Sequence, residues 1–286
     1  MDRNLAQRIG FAVAAIPFAL LFVWYGGWPL VALVVTIAVL GTRELYDLQR
    51  HTGVMPLDGA GLVAAALAAP AAYLYLRNPQ GFVTAVWPYA GALWLMLVMS
   101  LALWRRSPAN RPLEAVAVTV FGALYAGALP AFLLELRHAS HGTRSWAGAW
   151  LVFYPLVVTW IVDTAAMFGG RAFGRVKLAP TVSPGKTREG SIAGVLGGLV
   201  VAPLFAYGIF PAVGVTAPIG PLLLMAFVLA IVGQVGDLAE SLFKREAGVK
   251  DSSHLIPGHG GVLDRLDSLY FVIPVAAALY RILGVG

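Results

Sequence analysis

The chain has 286 residues, 59% of them hydrophobic and 12% charged, with a formal net charge of +6 and no cysteine. A soluble fold carries roughly 25% charged residues in its polar skin, whereas residues 10–41 and 78–104 here hold no charge at all. A soluble globular enzyme and a disordered chain are therefore excluded, as are disulfide, thiolate-metal and cysteine-nucleophile chemistries, and the composition describes an all-α polytopic membrane protein.

The opening Met1–Gly27 has a basic start and an apolar run, as a signal peptide does. It lacks a small-x-small cleavage site and leads straight into further spans, so it reads as a retained first helix. Helices must do the spanning, because an open strand would leave backbone groups unpaired in lipid. At about 20 apolar residues per crossing, about nine spans follow in chain order: 10–27, 28–44, 59–76, 82–104, 114–135, 147–168, 190–210, 216–236 and 268–285. The second runs into Arg43 and Glu44, and the third is rich in alanine. The spans fall into an N-terminal group of about five (1–145) and a C-terminal group of about four (146–286), the latter carrying the polar loops 169–189 and 237–267.

The positive-inside rule supplies a test of this count. Of the 20 Lys and Arg residues, 16 fall on the side of the N-terminus and 4 on the other, which predicts a cytoplasmic N-terminus and an outside C-terminus. Trp28, Trp87, Trp146 and Trp150 lie near predicted outer ends and Trp104 near an inner one, as an interfacial belt requires. The stretch Gly190–Gly198 suits close helix packing through small residues. No internal repeat supports a transporter built on inverted halves.

Of the 14 acidic residues, 8 come after position 160. Asp163 lies inside the sixth span, where an ionisable group is costly and usually functional; a metal ligand, a nucleotide contact and a partner for a lysine are all open to it. The segment 180–187, Pro-Thr-Val-Ser-Pro-Gly-Lys-Thr, ends like a P-loop but lacks the leading glycine and a surrounding strand–loop–helix fold. Ser183 before Pro184 instead predicts a helix start, with free N–H groups, Lys186 and Arg188 aimed at an anion.

In the second loop, Asp237 and Glu240 are three apart at the inner end of the eighth span, and Ser241 and Lys244 continue that helical face. Asp264 and Asp267 are likewise three apart before the ninth span, so each pair points one way from its helix. Clustered hard oxygens among basic residues suit Mg²⁺ with substrate phosphates, or else simple salt bridges such as Asp264 with Arg265, or an N-cap at Asp267. Between the pairs, Pro257-Gly-His-Gly-Gly261 lets backbone N–H groups of Gly260 and Gly261 approach phosphate oxygens, and His259 has the chemistry for a phosphate contact or proton transfer.

Ser241-Leu-Phe-Lys-Arg245, Lys250-Asp251 and Pro257-Gly-His-Gly-Gly-Val-Leu-Asp-Arg-Leu-Asp267 together resemble the signature of the phosphatidate cytidylyltransferases, the CDP-diacylglycerol synthases. Asp163-Thr164, Gly174 and Ser183-Pro-Gly-Lys-Thr-Arg-Glu-Gly190 resemble the family's other stretch, with Arg188 standing where an aromatic residue is expected. The likeness is carried by motifs over 160–270 and by composition alone over 1–150. It implies CTP + phosphatidate → CDP-diacylglycerol + pyrophosphate in phospholipid biosynthesis, with Mg²⁺ (or Mn²⁺), a monovalent cation such as K⁺ beside it, and a multi-pass homodimer in the inner membrane. It also implies phosphatidate drawn from the inner leaflet of the lipid bilayer, and no nucleic-acid partner. Asp237 and Asp264 become the expected metal ligands, supported by Glu240 and Asp267. Lys186, Lys244, Arg245, Lys250, His259 and Arg265 become the expected catalytic groups, with Asp163, Ser183, Arg188, Ser241, Gly260 and Gly261 at the substrates. The rivals are a sister enzyme acting on an isoprenoid lipid phosphate and an ion-coupled transporter. The transporter is disfavoured because the polar residues sit at the membrane edge rather than the midplane.

Overall fold

The computed structural model describes residues 17–256 and 260–285. The start of the first predicted span (10–16), the N-terminal arginines and the Pro257-Gly-His259 tripeptide lie outside the described residues. Helix α1 occupies 17–25. It is followed by α2 (Gly27–His51), α3 (Asp58–Arg77), α4 (Phe82–Arg105), α5 (Pro112–His138), α6 (Trp146–Phe173), α7 (Arg188–Ala212), α8 (Ile219–Glu246), a short α9 (Val262–Leu266) and α10 (Leu269–Leu283). Among the described residues, eight helical stretches from Gly27 onward are long and apolar enough to cross a membrane. The all-α polytopic reading therefore holds, and each predicted span from the second onward has its helix.

Two ends differ from expectation. Helix α2 continues past Arg43 and Glu44 to His51, and α8 continues past 236 to Glu246. Neither extension meets a glycine or proline until Gly53 and Gly248, both of which take positive φ. The π turn Ala123–Ala128 of α5 lies just before Pro130, and that of α7, Phe205–Ile209, lies between Pro203 and Pro211. A proline removes one N–H from the helical ladder, and the widened turn absorbs the loss.

The described helices divide into two compact units: one runs to Glu135 and takes in Phe243–Leu266, and the other comprises Leu136–Leu242 with Asp267 onward. In the first, fully buried Tyr46 of α2 packs against Gly61 of α3 and Gly122 of α5, where no side chain would fit. Its hydroxyl donates to Thr119 O at 2.7 Å, and Leu57 N donates to Thr119 Oγ1 at 2.8 Å. In the second unit, Gly190, Gly194, Gly197 and Gly198 of α7 face Val162, Ala165 and Ala166 of α6, which is the small-residue packing read from the sequence. Trp28, Trp87, Trp104 and Trp146 are exposed, as a belt requires, whereas Trp150 turns inward onto Phe153 and Phe205, with ring centroids 5.3 and 5.8 Å away. Arg137, counted by the sequence among loop charges, is fully buried and closes the following loop by donating to Gly142 O at 2.9 Å.

A side chain at Gly194 would start 3.0 Å from Val162 O and 3.2 Å from Ala166 Cβ, whereas Gly220 has nothing within 4 Å. Gly194→Leu is expected to lower stability by about 1–3 kcal/mol through overpacking, and Gly220→Ala to leave it within about 0.5 kcal/mol. Thermal midpoints of the two purified variants in detergent check this.

Candidate active site

The second unit holds a cleft of about 420 Å³ whose walls come from α6, α7, α8 and a two-stranded hairpin. The hairpin pairs β1 (Lys177–Ala179) with β2 (Ser183–Thr187) antiparallel, Lys177 opposite Thr187 and Ala179 opposite Ser183. The helix start predicted at Ser183 is corrected here: Ser183 is a strand residue, and α7 begins at Arg188. Its cap is Thr187, whose Oγ1 accepts from Gly190 N at 3.1 Å. Glu189, in the first turn, accepts from the N–H groups of Arg175 and Val176 at 3.0 and 3.2 Å, and Arg188 N donates to Val176 O at 2.9 Å. These bonds tie the hairpin to the head of α7. Arg188 itself is exposed, and neither it nor Ser183 lines the cleft.

Lys186 of β2 does line it, and its ammonium pairs with Asp237 of α8 at 2.5 Å, both side chains 27% exposed. One turn along α8, the Ser241 hydroxyl reaches Asp237 Oδ1 at 3.4 Å. Asp163 of α6 lines the same cleft and lies in the field of Asp237, Asp267 and Lys186. Asp163 and Asp237 thus share a cleft with Lys186, and Asp267 adds a third negative charge within reach of Asp163. Among the described residues no three His, Asp or Glu side chains form a ready-made metal cage. Mg²⁺, however, usually takes one or two protein carboxylates and completes its shell with water and phosphate oxygens, and this donor set fits that manner of binding. Glu240 is fully buried and does not line the cleft.

Three cleft residues escaped the sequence reading. Arg171, two turns beyond Asp163 on α6, adds a guanidinium to the wall. Ser191 of α7 and Gln234 of α8 bond to one another through Ser191 Oγ and Gln234 Oε1, and Gln234 Nε2 also donates to Ala230 O at 3.0 Å. A glutamine inside an apolar span carries the same signal as Asp163 and was there to be read.

The first unit contains a different arrangement. Asp264 of α9 is 7% exposed and is enclosed by donors: Lys244 Nζ at 2.7 Å on Oδ1, and Ser252 N, Ser252 Oγ and Gly261 N, each at 2.8 Å, on Oδ2. The expectation that Gly261 offers its N–H to a phosphate is corrected accordingly, since that N–H is directed at Asp264. A Cβ on Gly260, which has φ of 82°, would meet Asp264 Oδ2 at 2.6 Å, so the glycine pair lets the backbone close on this carboxylate. Arg245, Lys250 and Arg265 are exposed, with Arg245 donating to Val249 O at 2.9 Å. His259 lies outside the described residues.

Comparison with known proteins adds an independent line. The model of the cytidylyltransferase family matches residues 6–283. The chain is 31% identical over 291 residues to the phosphatidate cytidylyltransferase of Synechocystis sp., covering 94% of each chain. It is 32% identical over 273 residues to that of Bacillus subtilis, covering 95% of this chain and 96% of the relative. With that of Haemophilus influenzae it shares 39% identity over 194 residues, 68% of this chain and 65% of the relative.

The two groups of acids should respond differently to removal. Asp264→Ala leaves Lys244, itself 8% exposed, beside an empty carboxylate seat, and is expected to cost about 3–5 kcal/mol of unfolding free energy. Asp237→Ala breaks a partly hydrated pair and is expected to cost less than about 1 kcal/mol. Thermal or denaturant unfolding of the two variants, followed by tryptophan fluorescence, makes the comparison.

Proposed function

The chain belongs to the cytidylyltransferase family, and from that premise we propose that it joins CTP to phosphatidate, releasing CDP-diacylglycerol and pyrophosphate. It is a nucleotidyltransferase enzyme with membrane helices, and relatives matched along nearly their whole length carry the name phosphatidate cytidylyltransferase. On the geometric side, one observation carries the reading: a cleft lined by Asp163, Asp237, Lys186 and Arg171, in which Lys186 pairs with Asp237.

In the proposed reaction a phosphate oxygen of phosphatidate forms a bond to the α-phosphorus of CTP, while the bond from that phosphorus to the bridging oxygen breaks and pyrophosphate departs with the electron pair. The attacking oxygen is anionic at neutral pH, so neither a strong base nor a covalent nucleophile is required. What must be overcome is repulsion between two polyanions, and positioning with charge neutralisation answers it. Lys186 and Arg171 present positive charge to the phosphates, Lys as a point contact and Arg with a planar fork. Asp163, Asp237 and Asp267 would hold Mg²⁺ (or Mn²⁺), which when bound neutralises the triphosphate and the leaving group. Ser241 steadies Asp237, and Asp264 keeps Lys244 and the glycine-rich loop in place.

The cytoplasmic face and the inner membrane belong to this proposal, supported by the bias of 16 basic residues to 4 and by the cytosolic origin of CTP. The family resemblance adds a homodimer and a monovalent cation.

The test is an assay of purified protein with labelled CTP, Mg²⁺ and either a diacyl or an isoprenoid lipid phosphate. Labelled liponucleotide is expected with the diacyl substrate; product with the isoprenoid alone would reassign the lipid, and product with neither would overturn the reading. Chelation of divalent metal should abolish turnover and Mg²⁺ should restore it. Asp237→Asn and Lys186→Ala should each lower kcat/KM by about 100-fold or more, with the fold retained.

A further inference from the structure

The loop that carries the glycine pair is fastened by a carboxylate from the far end of the chain. Glu44 of α2 is 5% exposed, and every donor described to it comes from that loop or the start of α9. Its Oε1 accepts from Ser253 Oγ at 2.7 Å and Val262 N at 3.0 Å. Its Oε2 accepts from Leu263 N at 2.8 Å and lies 3.0 Å from Ser252 Oγ. The Ser252 hydroxyl, with a single proton, stands between Glu44 and Asp264 Oδ2, the latter at 2.8 Å, and so links the two buried carboxylates. Gly261 is part of the same seat, because a Cβ there would fall on Ser252 Oγ and Glu44 Oε2.

Burying a carboxylate is costly unless its oxygens are filled, and an apolar residue would pack α2 without that cost. The seat has the character of an acceptor-only site: two backbone N–H groups and two hydroxyls converge on it. A carboxylate satisfies all of them, whereas a glutamine amide would turn its NH₂ toward donors.

We propose that Glu44 is a positioning residue that sets the conformation of the segments 252–253 and 261–263 and, through Ser252 and Gly261, the placement of Asp264 and its partner Lys244. The role in turnover rests on the cytidylyl-transfer reading above; the role in loop conformation does not. Glu44 touches no substrate and acts through the loop it holds.

The experiment uses the full chain in detergent with Glu44→Gln, Glu44→Ala and Glu44→Asp, read by hydrogen exchange and by steady-state kinetics. Glu44→Gln and Glu44→Ala should accelerate exchange at the amides of Val262 and Leu263 while α6 keeps its protection. They should lower kcat by about 100-fold, the scale of a small misplacement at a reacting centre, with a much smaller change in the KM for CTP. Glu44→Asp, which keeps the acceptor-only group on a shorter stem, should recover part of both signals. Unchanged exchange at Val262 and Leu263 in Glu44→Gln overturns the proposal. So does a loss of protection spread equally over the loop and α6 in all three variants, since that marks a general contribution to stability. If the unaltered chain makes no liponucleotide, the reading of its reaction fails, while the exchange data still decide whether Glu44 sets the loop.

Discussion

An ionised group in a chain this apolar must either keep water or be given donors, and that constraint shapes both groups of acids. Asp264 and Glu44 are buried at 7% and 5% exposure, so the protein folds a loop around them, and backbone N–H groups, serine hydroxyls and Lys244 fill their oxygens. Asp237 and Lys186 are left 27% exposed on a cleft and answer mainly to one another. The same side-chain chemistry thereby does two jobs. Carboxylates with filled lone pairs hold backbone in place, and carboxylates with hydrated ones remain able to exchange partners.

This division qualifies what the paired acids mean. The spacing of Asp237 with Glu240 and of Asp264 with Asp267 marks one face of a helix, yet the two members of a pair meet different surroundings. Glu240 is fully buried, Asp264 is enclosed by its loop, and Asp237 and Asp267 act on Asp163. Helical spacing fixes direction, but burial decides whether an acid is a ligand or a strut, and burial depends on neighbours that spacing does not encode.

The spans were legible because crossing length is a property of composition: the sixth, read as 147–168, is the core of Trp146–Phe173. The glycine face of α7 was legible for the same reason, since small residues at helical spacing have few other uses. Ser183 was misread because Ser-Pro is a local pattern that suits a helix cap and a strand alike. The choice is made by pairing with Lys177–Ala179 and by the Thr187 cap, contacts outside the window. Glu44 registered only as a weak end to the second span. Its partners lie 208 to 219 residues away, and no local pattern can mark a contact of that range. At Gly261 the physics of close approach was read correctly and the partner was not, because a carboxylate and a phosphate ask the same thing of a glycine.

Packing and chemistry meet at Thr187. A Cβ on Gly170, Gly174 or Gly190 would come within 3.1, 2.9 or 3.0 Å of its Oγ1, so three glycines from the end of α6 and the head of α7 leave room for that one side chain. With Thr187 clamped and capping α7, the backbone of its neighbour Lys186 is fixed to within a residue, and only the flexible lysine stem remains to move. A strand anchored in this way can carry a mobile point charge without moving itself. Under the proposed reaction, that mobility lets Lys186 trade Asp237 for an incoming phosphate. The carboxylate it leaves behind then adds negative charge beside Asp163 and Asp267, so the arrival of the anion and the readiness of the cleft for a cation are coupled through a single side chain.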